Sequence, residues 1–370
     1  MGIMLKRFSV AGMRNFADEM TLDLSRTRDY RFNETCIKDG IVTTALMLGR
    51  NASGKSNFGR ALMNIRENFL VRAPYPDDTL FLNADSDSGL ARFSYVFLWD
   101  GHDVTYEYVK SSRFELASER LLLDGEIVFD FDNANGKLKT GKLRLVGAEN
   151  LNWDFQDSFM SVASYITSSV PLPSASFLAD VRNFAVGIYS VDTFRPGSPD
   201  EINSALKAVI DSGRLHDFEM FLARFGINES LKAFRRPDGT QVVYSQHGNR
   251  SIPFAEACSS GTQTLLKVFS NFELENPHPL PAPLAFYDEF DAYCHYELAE
   301  QLISYFAEKR EVQTICTTHN ASLVKNDFLR PDCVFLIKPG EGIKSLADST
   351  DREIRLGNNV EKLLRSGEFE

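Results

Sequence analysis

A glycine-rich loop constrains this chain more than any other feature. Residues 49–56 read GRNASGKS and match the pattern Gly-x-x-x-x-Gly-Lys-[Ser/Thr]. The loop follows a continuous apolar run at residues 41–47, typical of a buried parallel strand, and precedes apolar residues at helical spacing between positions 57 and 69. Free backbone N–H groups and a helix N-terminus together form an anion site. The pattern therefore predicts a phosphate site in which Lys55 reaches the β- and γ-phosphates and Ser56 ligates Mg²⁺.

A second apolar run, at residues 284–287, ends in two carboxylates, Asp288 and Glu289. Such a strand end could be an ordinary acidic loop at the surface. After a phosphate loop it favours another interpretation, in which Asp288 holds the metal, directly or through water. Glu289 would then position and deprotonate an attacking water, which is the work of a general base.

Two further segments give weaker evidence for residues that contact a phosphate. Ser260-Gly261-Thr262-Gln263 precedes apolar residues at positions 265–272, and a Ser and a Gly at a helix start offer a hydroxyl and bare N–H groups to a phosphate. An ordinary helix with Ser260 as its N-cap explains this turn equally simply. His319 follows another buried run and could contact a γ-phosphate, although a histidine at a strand end with only structural partners is the alternative.

The composition indicates a globular protein. The 370 residues allow one large domain or two ordinary ones, and no apolar run approaches the ~18 residues that span a bilayer. No long apolar stretch follows Lys6 and Arg7, so we expect no signal peptide. The five cysteines are scattered, without a Cys-x-x-Cys pair, so we expect a reducing cytoplasmic location and neither a zinc site nor a disulfide framework.

The net charge of −11 argues against broad coating of nucleic acid, because phosphate contacts dominate such binding. A local basic groove stays possible. One short stretch contains Lys137, Lys139, Lys142 and Arg144, and a solvated strand face is the preferred interpretation of it.

Periodicity divides the chain into zones. Alternating apolar residues between positions 91 and 145, with turns at three X-Gly pairs, predict an antiparallel meander. Helical spacing interrupted by prolines dominates residues 157–225, and a hairpin is expected at 236–252. Parallel α/β patterning returns after residue 257. We therefore expect an α/β fold with these parts: a split core at 1–90 and 253–370, an antiparallel β lobe at 91–150, and a mostly helical insertion at 151–252.

Together these segments resemble the ABC-class ATPase heads of the structural-maintenance-of-chromosomes, RecF and overcoming-lysogenisation (OLD) group. The resemblance covers residues 4–69 and 257–370, about half of the chain. Asn51 fits the group's phosphate loop, and Ser260-Gly261-Thr262-Gln263 is similar to the ABC signature turn. The run from Asp288 to Asp291 resembles the Walker B pair followed by the D-loop acid, and His319 resembles the switch histidine. Residues 357–367 are similar to compact bacterial ATPases near the OLD proteins.

The resemblance implies an ABC-type P-loop ATPase head that binds ATP and Mg²⁺ between two copies of itself. It implies catalytic roles for Glu289, His319 and Lys55, and metal ligation by Ser56 and Asp288. The nucleotide-binding residues that it implies are Gly49, Asn51, Ser53, Gly54, Lys55, Ser56, Asn57, Ser260, Gly261, Gln263 and Asp291.

The chain also departs from its larger relatives. It has no long coiled coil, and no later segment is long enough for the TOPRIM nuclease domain of OLD proteins. Thr262 stands where many relatives have a second glycine, and Gln156 is the lone candidate for a Q-loop glutamine.

Several functions are compatible with such a head. The preferred hypothesis is the ATPase or sensor subunit of a bacterial anti-phage, abortive-infection system, a homodimer or higher homo-oligomer that controls a separate protein effector such as a nuclease. The alternative is a RecF-like repair or replication ATPase that binds duplex DNA. An assembly scaffold without hydrolysis is disfavoured by the intact Asp288-Glu289 pair. A transporter ATPase would need a membrane partner.

Overall fold

The chain is described here by a computed structural model, in which residues 2–369 are described except for 71–79, 134, 154–159, 173–174, 193–194, 238 and 275–281. Gln156 therefore lies outside the described residues. The chain forms two compact units. The first contains Met1–Ser190, Ala282–Asp288 and Phe306–Glu370, and the second contains Val191–Pro281 and Glu289–Tyr305.

The β-strands, in chain order, are β1 Met4–Ala11, β2 Met20–Asp23, β3 Ile37–Lys38, β4 Ile41–Val42, β5 Thr44–Leu48, β6 Ala91–Trp99, β7 His102–Lys110, β8 Leu116–Leu123, β9 Glu126–Asp132, β10 Lys137–Thr140, β11 Tyr189–Asp192, β12 Leu231–Arg235, β13 Gln241–His247, β14 Arg250–Pro253, β15 Leu284–Asp288, β16 Gln313–Thr318, β17 Val334–Lys338 and β18 Gly342–Ser345.

The α-helices are α1 Lys55–Met63, α2 Ile65–Phe69, α3 Val162–Ser169, α4 Phe177–Gly187, α5 Pro199–Asp211, α6 Leu215–Arg224, α7 Phe254–Ala257, α8 Ser260–Phe272, α9 Tyr296–Glu308 and α10 Val360–Arg365.

A six-stranded sheet in the order β11-β15-β16-β5-β17-β18 forms the core of the first unit. Strands β15, β16, β5 and β17 run parallel, and β18 is paired antiparallel to its neighbour, β17. Every residue of β5, β15 and β16 is buried, as expected for strands that are covered on both faces. Because the parallel strands end at one edge, the loops that follow them meet there.

A seven-stranded antiparallel sheet in the order β10-β9-β8-β7-β6-β1-β2 completes the first unit. Strand β7 alternates between buried and partly exposed side chains, which is the period-2 pattern of a sheet with one covered face. Its buried tyrosines, Tyr106 and Tyr108, hydrogen-bond to Asn68 of α2 and to Asn64 just before α2. The antiparallel sheet is thereby tied to the end of the helical segment that follows the phosphate loop.

The sheet division differs from the zones expected from sequence. The meander starting at Ala91 does not stand alone, because β1 pairs with β6 over most of its length. The first unit thus joins residues expected in the split core, in the β lobe and in the first part of the insertion, and the second unit begins at Val191 rather than at residue 151. These pairings are between residues far apart in sequence, which local periodicity does not report.

The second unit is built from helices and one small sheet. Helices α5, α6 and α7 pack against the three-stranded sheet β12-β13-β14, and α5 and α6 pack against α8. The hairpin expected at 236–252 is therefore part of a larger, three-stranded sheet. Asp238, in the expected turn, lies outside the described residues. The capping box of Ser198 and Glu201 fixes the start of α5.

Candidate active site

The glycine-rich loop connects β5 to α1, in the context that its sequence predicts. Strand β5 ends at Leu48 and α1 begins at Lys55. The backbone of Ala52 and of Gly54 is left-handed, with φ of 63° and 101°. Such a conformation favours glycine, which has no Cβ to clash. The loop turns back sharply enough to place its N–H groups at the start of α1.

Close packing around the loop explains both glycines of the pattern. A Cβ at Gly49 would lie 2.4 Å from Ser53 Oγ, and a Cβ at Gly54 would lie 2.6 Å from Asn15 Nδ2. Within α1, a Cβ at Gly59 would lie 2.2 Å from a ring carbon of Phe286 in β15. The helix after the loop therefore packs directly against the strand that ends in Asp288.

The Lys55 side chain folds over the loop. It is 5% exposed, and its Nζ donates to the main-chain oxygens of Gly49 at 2.9 Å and Arg50 at 3.2 Å. The ammonium group is thus held at the mouth of the loop, where an anion bound to the loop amides would meet it.

Strand β16 lies between β5 and β15 and joins the two halves of the site. The N–H of Gly49 donates to the carbonyl of Thr318 at 3.3 Å, so the loop starts beside the end of β16. On the other side, Thr317 Oγ1 donates to Asp288 Oδ1 at 2.6 Å. The ends of the three strands that bear the phosphate loop, Asp288 and His319 therefore lie side by side.

Glu289 and His319 are the first residues after strands β15 and β16. Glu289 follows Asp288 directly, and its φ of 44° is left-handed, an uncommon conformation for a glutamate. Non-glycine residues in this region concentrate at functional turns. His319 is exposed and follows the last residue of β16. Asn320, the next residue, caps a short helical turn by accepting from the N–H of Ser322.

Sequence reasoning missed two side chains beside the loop. Asn57 Nδ2 donates to Asn15 Oδ1 at 2.7 Å, which leaves the Asn15 amide nitrogen near Gly54. Asn15 lies in the turn between β1 and β2, and nothing in the local pattern there indicates a site. Thr317 was the second omission, since its only local feature is a place in a buried strand. Both become visible through contacts between residues distant in sequence.

The Ser260 turn belongs to the second unit. Helix α8 begins at Ser260, and its N-cap is Ser259, whose Oγ accepts from the N–H of Thr262 at 3.2 Å. The alternative in which Ser260 is the cap is therefore wrong by one residue. Ser260 is the first helical residue, and its hydroxyl is not used for capping.

Other residues of that turn have internal partners. Gln263 Oε1 accepts from the N–H of Gly197 at 2.9 Å, and a Cβ at Gly261 would lie 3.1 Å from Leu298 Cδ2. Gln263, expected to contact nucleotide, thus holds the segment before α5. Asp291 Oδ1 is buried and accepts no hydrogen bond from any described residue.

The first-unit residues fit a nucleotide with Mg²⁺. Ser53 Oγ is buried without a hydrogen-bond partner among the described residues, inside a loop that presents N–H groups and an ammonium. In the described part of the chain, no group of three or more His, Cys, Asp or Glu side chains could hold a metal ion. Mg²⁺ commonly binds through one or two protein ligands plus phosphate oxygens and water. Ser56 and Asp288 are the side chains that would serve.

The phosphate loop follows β5, a central parallel strand, and the strand that ends in a carboxylate, β15, lies two places from β5 in the sheet. This arrangement defines a P-loop ATPase core of the ABC class. The chain belongs to the family described as "AAA domain, putative AbiEii toxin, Type IV TA system", whose model matches residues 45–325. Among the curated proteins, none matches this chain significantly.

Two solved structures are similar to the chain. The SMC head domain from Thermotoga maritima is 18% identical, with 92% of this chain and 98% of that chain covered and a TM-score of 0.45. The Smc head domain with an extended coiled coil, bound to the C-terminal domain of ScpA and derived from Pyrococcus furiosus, is 13% identical, with 98% and 99% covered and a TM-score of 0.46. No helix in the described ranges is long and apolar enough to cross a membrane.

Proposed function

We propose that this protein binds ATP with Mg²⁺ and hydrolyses it between two copies of the chain, and that this cycle switches a partner protein. The observation that carries the proposal is the side-by-side arrangement of three strand ends, bearing the phosphate loop, Asp288 and His319. Such an arrangement supports a site in which an ammonium, a carboxylate and an imidazole would line the path of a triphosphate, as phosphoryl transfer requires.

The side chains have separate roles in phosphate binding, metal ligation and catalysis. Lys55 and the loop amides bind the phosphates and offset their charge, and Asn51, Ser53 and Asn57 line the same loop. Ser56 and Asp288 hold Mg²⁺, which neutralises charge that develops on the phosphate oxygens. Glu289 takes the proton of the attacking water, and His319 contacts the terminal phosphate.

The second copy of the chain supplies the remaining contacts to the nucleotide. Ser260 and Gly261 start a helix whose cap is provided by the preceding residue, so the Ser260 hydroxyl and the helix N-terminus are available to a phosphate. The buried Oδ1 of Asp291, without a partner among the described residues, is the kind of group that an interface satisfies. In a two-fold dimer each chain would complete the other's site.

ATP that binds only the closed dimer stabilises it by RT ln(1 + [L]/Kd), about 2.7 kcal/mol at a hundredfold excess over Kd. Hydrolysis removes that contribution, so the dimer opens. The output of the cycle is then a change of assembly, which a bound effector can sense.

The biological role that we propose is control of a separate effector, such as a nuclease, in bacterial abortive infection. The family description, with its toxin and type IV toxin–antitoxin terms, supports this context. The net charge of −11 supports a protein partner over a polyanion as the main ligand of the head.

The native mass of Glu289→Gln protein, purified from its own host with Mg²⁺ and ATP, tests the proposal. We expect an ATP-bound dimer that carries a second protein in fixed ratio, because binding persists while turnover falls. Glu311→Gln is a matched control, since Glu311 is an exposed carboxylate that forms an ion pair with Lys38. Wild-type hydrolysis by Glu289→Gln would refute the assigned base. A dimer that carries DNA and no second protein would refute the effector role and support the RecF-like alternative.

A further inference from the structure

The small sheet of the second unit has an unusual charge for this chain. Strands β12, β13 and β14 contain Lys232, Arg235 and Arg250 and no Asp or Glu, although the whole chain has a net charge of −11. Arg236 follows β12 directly. All four cations are exposed, and none forms an ion pair with a described residue.

Burial shows which face of this sheet is turned to solvent. Leu231, Val243 and Ser245 share one face and are buried. The opposite face carries Lys232 and Phe234, since side chains alternate along a strand, together with Val242, which is paired with Phe234 and is buried. Phe234 is 48% exposed.

An aromatic pair lies in the middle of that outward face. Lys232 is paired with Tyr244 across the β12–β13 register, and the Phe234 ring meets the Tyr244 ring edge to face at a centroid distance of 5.4 Å. Along the chain, Phe234 lies between Lys232 and Arg236. The two rings are nearly perpendicular, so the exposed Phe234 ring is the one that would stack a base, with cations on either side to hold the phosphates.

The nearest carboxylates do not cancel this charge on the outward face. Glu219 accepts from the N–H of Leu231, and Glu229 accepts from the Ser245 hydroxyl. The Ser245 side chain belongs to the buried face, so Glu229 is engaged on the inner side, and Glu219 is also bonded to His216 of α6. By contrast, two of the four cations of the other basic stretch are in ion pairs, Lys139 with Asp130 and Lys142 with Glu126.

We propose that the outward face of the β12–β14 sheet, defined by Lys232, Phe234, Arg236 and Tyr244, binds single-stranded nucleic acid. A duplex hides the faces of its bases, whereas an unpaired base exposes one to an aromatic ring. A symmetric contact between this face and the same face of a second copy is disfavoured by like charge. The acidic remainder of the chain repels a long polyanion, so the contact is local and spans few nucleotides.

This inference goes beyond the nucleotide switch and does not depend on it. The four residues lie in the second unit, and none belongs to the phosphate loop. The Lys55→Ala protein is therefore expected to bind the strand as wild type does. Loss of ATP binding and loss of strand binding can thus be told apart.

Fluorescence anisotropy with the full chain tests the proposal. The probes are labelled oligothymidylate and oligouridylate of about 16 nucleotides and a duplex of the same length, at about 50 to 200 mM salt. Tighter binding of one of the two single strands identifies whether the ligand is DNA or RNA. We expect Phe234→Ala to weaken binding about fivefold to a hundredfold, and Phe234→Tyr to retain it, because stacking needs only the ring.

Charge variants give a second readout. Lys232→Gln and Arg236→Gln should each reduce the slope of log K against log salt by about 0.7, the value for one phosphate contact on a single strand. Lys142→Gln is the matched control and should leave the slope unchanged. Unchanged urea unfolding midpoints would show that the variants are folded.

Several results would overturn the proposal. These are no binding of either single strand, a tighter complex with the duplex, or equal loss in the Lys142→Gln control. Competition by polyglutamate as strong as by oligothymidylate would also overturn it, since the face would then recognise an acidic protein.

Discussion

The Thr317 hydroxyl donates to the Asp288 carboxylate at 2.6 Å, and both side chains are at least 93% buried, with exposures of 0% and 7%. The two residues end neighbouring parallel strands, in which Tyr287 is paired with Cys316. A carboxylate that accepts a buried hydroxyl is fixed in orientation, and this fixes which oxygen faces the metal position. Thr317 is therefore a positioning residue for the proposed Mg²⁺ site.

Thr317→Val should weaken the effect of Mg²⁺ on ATPase activity while leaving the fold intact. The two side chains are of equal size, but valine cannot donate the hydrogen bond. We expect the Mg²⁺ concentration for half-maximal ATPase activity to rise about tenfold or more, the usual effect of removing a partner of a metal ligand. Thr314→Val is the control, because Thr314 is buried in the same strand and its hydroxyl makes only a 3.4 Å bond to the carbonyl of Val312. An equal Mg²⁺ requirement in both variants would remove the positioning role.

Lys55→Ala should abolish measurable ATP binding. The ammonium lies over the loop that would hold the phosphates, and it donates to the carbonyls of Gly49 and Arg50. Isothermal titration with a slowly hydrolysed ATP analogue measures the loss. Lys38→Ala, at an exposed ion pair with Glu311, controls for removal of a positive charge. Wild-type affinity in Lys55→Ala would mean that the loop does not bind the triphosphate.

Ser259 and Ser260 allow stability to be separated from turnover. Ser259 caps α8, so Ser259→Ala should lower the free energy of unfolding by about 1 kcal/mol and change ATP turnover little. Ser260 has no capping role, so Ser260→Arg should block turnover by obstructing the partner's nucleotide while leaving ATP binding to the monomer intact. Steady-state ATPase assays and urea unfolding measure the two effects. Normal turnover in Ser260→Arg would refute a site shared between two chains.

Local patterns predicted the elements that carry the site, because each of them is defined by neighbours in sequence. The phosphate loop has a fixed spacing, and helix α9 has the expected bounds, Tyr296–Glu308. The helical pattern at 57–69 is broken at Asn64 into α1 and α2. Asn64 bonds to Tyr108 of a distant strand, a contact that a helical period does not contain.

The parts that sequence did not predict depend on long-range contacts. Thr317 and Asn15 acquire their roles from partners in other elements, and the pairing of β1 with β6 changes where the units divide. Buried polar groups were missed for the same reason. Glu119 is fully buried and accepts hydrogen bonds from Tyr106, from Ser161 and from two N–H groups at the start of α3. Burial raises the pKa of Glu119, and these donors offset part of the effect.

Lys110 is the other buried charge of the antiparallel sheet. It is 1% exposed, and its Nζ donates to the carbonyl of Arg113 at 3.2 Å and lies 3.9 Å from Glu67 Oε2. Glu67 is shared, since Arg113 also binds it at 2.7 Å. Burial lowers the pKa of Lys110 to about 8, against an ordinary 10.5, although the Glu67 carboxylate acts in the opposite direction.

The lowered pKa of Lys110 predicts a stability that rises with pH. The folded chain loses the proton near pH 8, whereas the unfolded chain keeps it until about 10.5, so the unfolded state binds more protons between these values. Stability therefore increases with pH in that window and is independent of this group below it. In Lys110→Met the contribution disappears. Urea unfolding at pH 7 to 10 should thus show the wild type gaining stability relative to Lys110→Met as pH rises through the lowered pKa of Lys110. A difference between the two proteins that stays constant with pH would mean that Lys110 is not buried with a lowered pKa.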